Sequence, residues 1–151
     1  MSEAYEYHLA DLRREIEAGG ARPTVIDVAV SELMADGNED LPGDLLSLLS
    51  DKAEYDDGMF SLIHAAESCD DNAYVRALLS VFPHLVLSAP RWASIVFMRV
   101  LNSGPAQAEM VRQLRDAPAS VKDAVREMCG RINEVSPQFL SKTVPVTLAA
   151  S

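Results

Sequence analysis

Glycine is scarce in this chain, with seven among 151 residues, and cysteine is scarcer, with two. Few glycines leave little material for a phosphate-cradling loop or a mobile lid, and no glycine-rich phosphate motif, GxSxG or HExxH occurs. Cys69 and Cys129 stand alone, without a CxxC or a neighbouring His. That excludes a disulfide framework or a zinc site of ordinary spacing and fits two reduced thiols in a cytosolic core. Aromatic residues make up only 6%, against 48% hydrophobic overall, so the core is expected to be aliphatic. No apolar run approaches the roughly 18 residues a membrane helix needs. The opening MSEAYEYHLADLRREIEAG shows no basic leader followed by an apolar stretch, which sets the expectation of a cytoplasmic protein.

Positive charge is also short. Thirteen Lys/Arg face 23 Asp/Glu, a net of −10. The excess is segregated: residues 1–30 carry −3, residues 31–72 carry −11, and residues 73–151 carry +4. Such a surface repels nucleic acid and anionic lipid and attracts basic proteins or cations. No basic stripe interleaved with aromatics is available for nucleic acid.

What is present is helical periodicity punctuated by Pro and Gly, with almost no period-2 alternation. Tyr5, Leu9, Leu12 and Ile16 mark a first amphipathic helix that Gly19-Gly20 ends. Ile26, Ala29, Val30 and Leu33 mark a second, over residues 24–36, stopped by Gly37. Pro42 opens a third, with Leu45, Leu46, Leu48 and Leu49 inward. Met59, Leu62, Ile63 and Ala66 define a fourth. Asp70 or Asp71 caps a fifth carrying Val75, Leu78 and Leu79, which the sequence reads as ending near Pro83.

Ala89-Pro90 restarts a helix through about Asn102, and another follows Pro105. The last long one begins near Pro118–Ser120 and aligns Val121, Val125, Met128, Ile132 and Val135 before Pro137. SAPRWAS and DAPASVK both place Ala-Pro before a helix, 28 residues apart, a faint internal echo. Short connections imply antiparallel hairpins. The expectation is an all-α, single-domain chain of seven to nine helices packed as antiparallel hairpins, with HEAT-like stacking as one compatible form. Residues 1–137 form the helical domain and 138–151, with TVP and VTL, read as an extended tail.

The stretch EYDDGMFSLIHAAESCDD, residues 54–71, is the candidate site. On one helix His64, Glu67 and Asp71 would share a stripe, with Phe60 a turn earlier. One His with two carboxylates is an incomplete metal shell, and neither His8 nor His84 supplies a second half-site, so no metal and no cofactor are expected. No catalytic residues are assigned. The stretch reads better as a partner-binding face of Glu54, Asp56, Asp57, Glu67, Asp70 and Asp71, with Tyr55, Phe60 and Tyr74 interspersed and His64 among them. Carboxylates steer a basic partner, and aromatics anchor it.

Residues 59–103 carry a further pattern: MFSLIHAAES, an acidic turn, YVRALL, a proline-marked turn and SAPRWASIVFMRVLNS. Through His64 with Glu67, Tyr74, Pro90 with Trp92, and Arg99 with Leu101-Asn102-Ser103, this resembles the core of the immunity protein 30 family. Those are small cytoplasmic proteins paired with polymorphic bacterial toxins, including contact-dependent inhibition systems. The resemblance implies a non-enzymatic inhibitor that binds a cognate toxin domain, one-to-one, by occlusion. It does not carry over the toxin's activity; charge alone favours a basic nuclease. Trp92, Leu101 and Asn102 read as packing and capping residues. Two other readings stand beside it, a helical-repeat adaptor for a basic protein or peptide and a metal-dependent enzyme using His64 and Glu67.

Overall fold

The computed structural model describes residues 3–151, and helices make up nearly all of its regular structure. Its contacts divide into two compact units, one ending at Asp70 and one running Asp71–Ser151.

The first unit contains α1 (Glu3–Glu17), α2 (Pro23–Asp36), α3 (Leu41–Ser47) and α4 (Asp56–Glu67). The α1 stripe of Tyr5, Leu9, Leu12 and Ile16 is buried as its spacing requires, and packs on α2. Gly37 adopts the left-handed conformation that ends α2, its N–H donating to the Met34 carbonyl. Leu45, Leu46, Leu48 and Leu49 are buried in and just after α3. α4 packs on α2 and α3 through Met59, Leu62, Ile63 and Ala66, all fully buried. The Tyr5 hydroxyl donates to Asp44 Oδ2 at 2.5 Å, joining α1 to α3.

The second unit contains α5 (Asp71–Ser88), α6 (Pro90–Leu101), α7 (Gly104–Leu114), α8 (Ala119–Val135), a 3₁₀ turn (Pro137–Phe139) and α9 (Leu140–Ala149). α5 packs against α6, α7 and α8, and α9 against α7 and α8. Its core centres on Phe82 and Phe97, with ring centroids 5.3 Å apart, and on the buried Trp92. Side chains tie the helix ends together. Gln113 Nε2 donates to the Asn72 carbonyl at 3.0 Å, and Gln107 Nε2 to the Lys142 carbonyl at 2.7 Å.

Three expectations are corrected. α5 does not stop at Pro83 but continues to Ser88. Proline inside a helix removes a donor and costs about 3 kcal/mol, but Phe82 and Leu85, both buried, gain roughly 1.5–3 kcal/mol each by staying inside. The tail is not extended: residues 140–149 form α9 despite Pro145, because Val146 and Thr143 are fully buried. The Thr143 hydroxyl is held at 2.7 Å from Asn133 Oδ1. Val135, aligned by sequence with Ile132, is 84% exposed, since it closes α8 beyond the packed face.

Candidate functional site

The acidic stretch is positioned by the loop between α1 and α2. Glu15, whose side chain is largely buried, accepts from Arg22 Nε at 3.2 Å and from Arg22 Nη2 at 2.7 Å, and its Oε2 also takes the Arg22 backbone N–H. This clamp lowers the Glu15 carboxyl below its ordinary range, through the Arg22 hydrogen bonds. Gly19 takes a left-handed φ of 86° and Ala21 one of 47°, so the chain turns sharply here. The Gly19 carbonyl then accepts the Glu54 N–H at 3.0 Å, which fixes the entry to α4.

From that entry the side chains fan outward. Glu54 is exposed, and Tyr55, at the N-cap position, is 45% exposed with extended backbone. Tyrosine offers no short oxygen to cap the helix, so the acidic first turn takes on the complementary role. Asp56 and Asp57, both exposed, stand where the helix dipole favours negative charge. Gly58 faces inward against the α1–α2 loop. Beyond it, Asp57, Phe60, His64 and Glu67 recur at three, four and three residues along one flank. Phe60 and Glu67 are half-buried and His64 is exposed, with the Phe60 and His64 rings 6.2 Å apart and inclined at 30°.

The structure separates two residues from this flank. α4 ends at Glu67 and turns through Ser68, whose hydroxyl donates to the Ala65 carbonyl at 2.6 Å. Asp71 therefore does not continue the His64–Glu67 stripe; it opens α5, as an exposed residue of the second unit. Tyr74, expected among the surface aromatics, is only 3% exposed and belongs to the buried face of α5. Asp70, exposed, precedes α5 at the capping position. Beside it, burial and the Asp70 charge push the Cys69 thiol above its ordinary range. Among the described residues, no three His, Cys, Asp or Glu side chains form a group that could hold a metal.

Three of the family-like residues of the second unit lie in the packing and the helix end of α6. Trp92 and Leu101 are buried, with the Arg91 guanidinium 4.9 Å from the Trp92 ring centre. Asn102 closes α6, its N–H bonded to the Met98 carbonyl.

Sequence windows blurred one feature that the fold makes sharp. Cut at the boundary between units, residues 1–70 hold 17 Asp/Glu and four Lys/Arg, a net of −13, while residues 71–151 hold six and nine, a net of +3. The polarity thus follows the architecture. The signal was present in the charge run, but its boundary needed the fold.

The fold defines the class, an all-α protein, and the family follows. Residues 19–110, more than half of the chain, match the family model described as Immunity protein 30, and the chain belongs to that family. The match runs from the α1–α2 loop to α7, taking in the whole acidic stretch. Membership makes it an immunity protein directed against a toxin and implies a non-enzymatic role with that toxin as partner. No curated protein and no solved structure gives a significant match. No described helix is long and apolar enough to cross a membrane.

Proposed function

We propose that this immunity protein neutralises its toxin in the cytoplasm by forming a one-to-one complex that covers a basic functional surface of the toxin domain. The covering surface is the acidic first unit, centred on the entry to α4. The observation that carries the reading is the net charge of −13 in that unit, with Glu54, Asp56, Asp57 and Asp70 all exposed around it. Opposite charge of this density raises the encounter rate with a basic partner and disfavours acidic ones. Affinity then needs a buried anchor, and Tyr55, with Phe60 and His64 along the flank, supplies the exposed aromatic surface for one. A nuclease, whose own substrate groove is basic, is the toxin class that this charge fits. Contact-dependent growth inhibition is a setting in which such a pair operates.

Co-expression with the toxin domain encoded beside it tests the proposal. Cells survive, and a stoichiometric complex is recovered whose stability falls with added salt. Cell death in the presence of folded protein, with no complex formed, overturns it.

A further inference from the structure

The C-terminal helix, read from sequence as an extended tail, is amphipathic in an unusual way. Its inward side buries Thr143 and Val146. Its outward side sets Leu140, Val144 and Leu148 at four-residue spacing, with exposures of 54%, 44% and 70%. Single exposed apolar residues are ordinary, but a stripe of them along one helix marks an interaction surface. Beside Leu148 lies a groove of about 470 Å³ between α7, α8 and α9, lined by Val111 and walled by Arg115 and Lys122.

Those two cations differ from their neighbours. Arg112, Arg126 and Arg131 are each paired with a carboxylate one turn away, Glu109, Asp123 and Glu127. The side chains of Arg115 and Lys122 form no ion pair or hydrogen bond among the described residues. An apolar stripe beside two uncompensated cations is complementary to apolar side chains flanked by anions.

We propose that the outward face of α9 and its groove form a second docking surface, which takes an amphipathic protein helix whose apolar residues are flanked by Asp or Glu. A protein segment fits better than a lipid surface. The chain carries −10 overall, and α9 has a single cation, Lys142, where interfacial helices line their polar face with Lys and Arg. A second copy in two-fold contact would bring the same cations together from both sides. All six residues lie outside the family-matched stretch and in the cationic unit, so the proposal uses none of the acidic residues and does not rest on them.

The test is an NMR titration of the full chain with two synthetic helical probe peptides of about 16 residues. Both carry leucines at four-residue spacing, one with Glu flanks and the other with Lys flanks. The Glu probe should perturb the amides of α9, Arg115 and Lys122, and should bind there at least about tenfold more tightly than the Lys probe. Leu148→Gln should weaken that binding about tenfold, and Arg115→Glu with Lys122→Glu should reverse the preference between probes. Leu148 and Arg115 are exposed and Lys122 is half-buried, and thermal melts verify folding; if Leu148→Gln fails to fold, the charge reversal decides. Absence of perturbation at α9, or equal binding of both probes there before and after charge reversal, overturns the proposal. So does binding of POPG/POPC vesicles through α9 without the Glu probe, which assigns the surface to lipid. Concentration-dependent sedimentation abolished by Leu148→Gln also overturns it, assigning the surface to a second copy.

Discussion

A Cβ added to Gly58 would stand 2.4 Å from the carbonyl oxygen of Ala21 and 2.8 Å from Ile26 Cδ1. α4 thus approaches the α1–α2 loop so closely that only glycine fits. The contact sets where the acidic turn of Asp56 and Asp57 begins.

Gly58→Ala tests that approach. In a free helix the change stabilises by about 1 kcal/mol. Here the obstacle is backbone, and overpacking of this kind costs about 1–3 kcal/mol. Urea denaturation should therefore show a net loss of stability. A gain would show that the loop moves aside without cost.

The Tyr5–Asp44 hydrogen bond gives a pH-dependent prediction. Burial, then the bond to Asp44 and the nearby carboxylates, pushes the Tyr5 hydroxyl far above its ordinary range. The folded state holds this proton more tightly than the unfolded chain. Its contribution is therefore complete below about pH 10 and declines above it, by up to about 1.4 kcal/mol per pH unit. Tyr5→Phe should lose about 1.5–3 kcal/mol at neutral pH, as for a bond to a charged acceptor. It should also show a shallower alkaline decline than the parent. Parallel alkaline curves for the two proteins would rule this bond out as the source.

The helices were legible because periodicity and punctuation agreed. The stripes of α1, α2 and α4 are buried residue for residue, and Gly37 stops α2 by its left-handed backbone. Sequence and structure part where tertiary burial outweighs local preference. Pro83 and Pro145 signal helix ends, yet both lie inside helices beside buried neighbours. Leu140, Val144 and Leu148 were spaced for a helix all along, but TVP masked them. Tyr74 departs from expectation for a different reason. An aromatic next to an acidic turn looks like surface, and only the phase of α5, which aligns it with Leu78, turns it inward. The close approach of Gly58 to Ala21 links residues 37 apart in sequence and leaves no local trace.

Replacing Asp56 and Asp57 by Asn should slow association with the toxin and flatten its dependence on salt, leaving dissociation nearly unchanged. Both residues also face the positive end of the α4 dipole, so each replacement should cost about 0.3–1 kcal/mol of stability. Stopped-flow binding across a salt series, with melting curves alongside, separates the two effects. Association rates that stay the same at low salt would place the binding surface elsewhere.

Tyr55 and Tyr74 lie in the same stretch of sequence and should fail in opposite ways. Tyr55 is 45% exposed and Tyr74 3% exposed, so truncating the first opens no cavity in the core and truncating the second does. Tyr55→Ala should leave the melting temperature nearly unchanged. An anchor of about 2 kcal/mol or more corresponds to at least about 30-fold faster dissociation from the toxin, with the association rate little altered. Tyr74→Ala should instead destabilise the fold by about 3–5 kcal/mol, as for other large buried aromatics. Whatever remains folded should bind the toxin at close to the parental dissociation rate. Surface plasmon resonance on the folded fraction, set against chemical denaturation of each variant, distinguishes the two. If Tyr55→Ala dissociates at the parental rate, the anchor role moves along the flank to Phe60, and Phe60→Ala must then carry the faster dissociation. If neither change speeds dissociation, the flank of α4 is not the anchored part of the interface, however strongly its carboxylates steer the encounter.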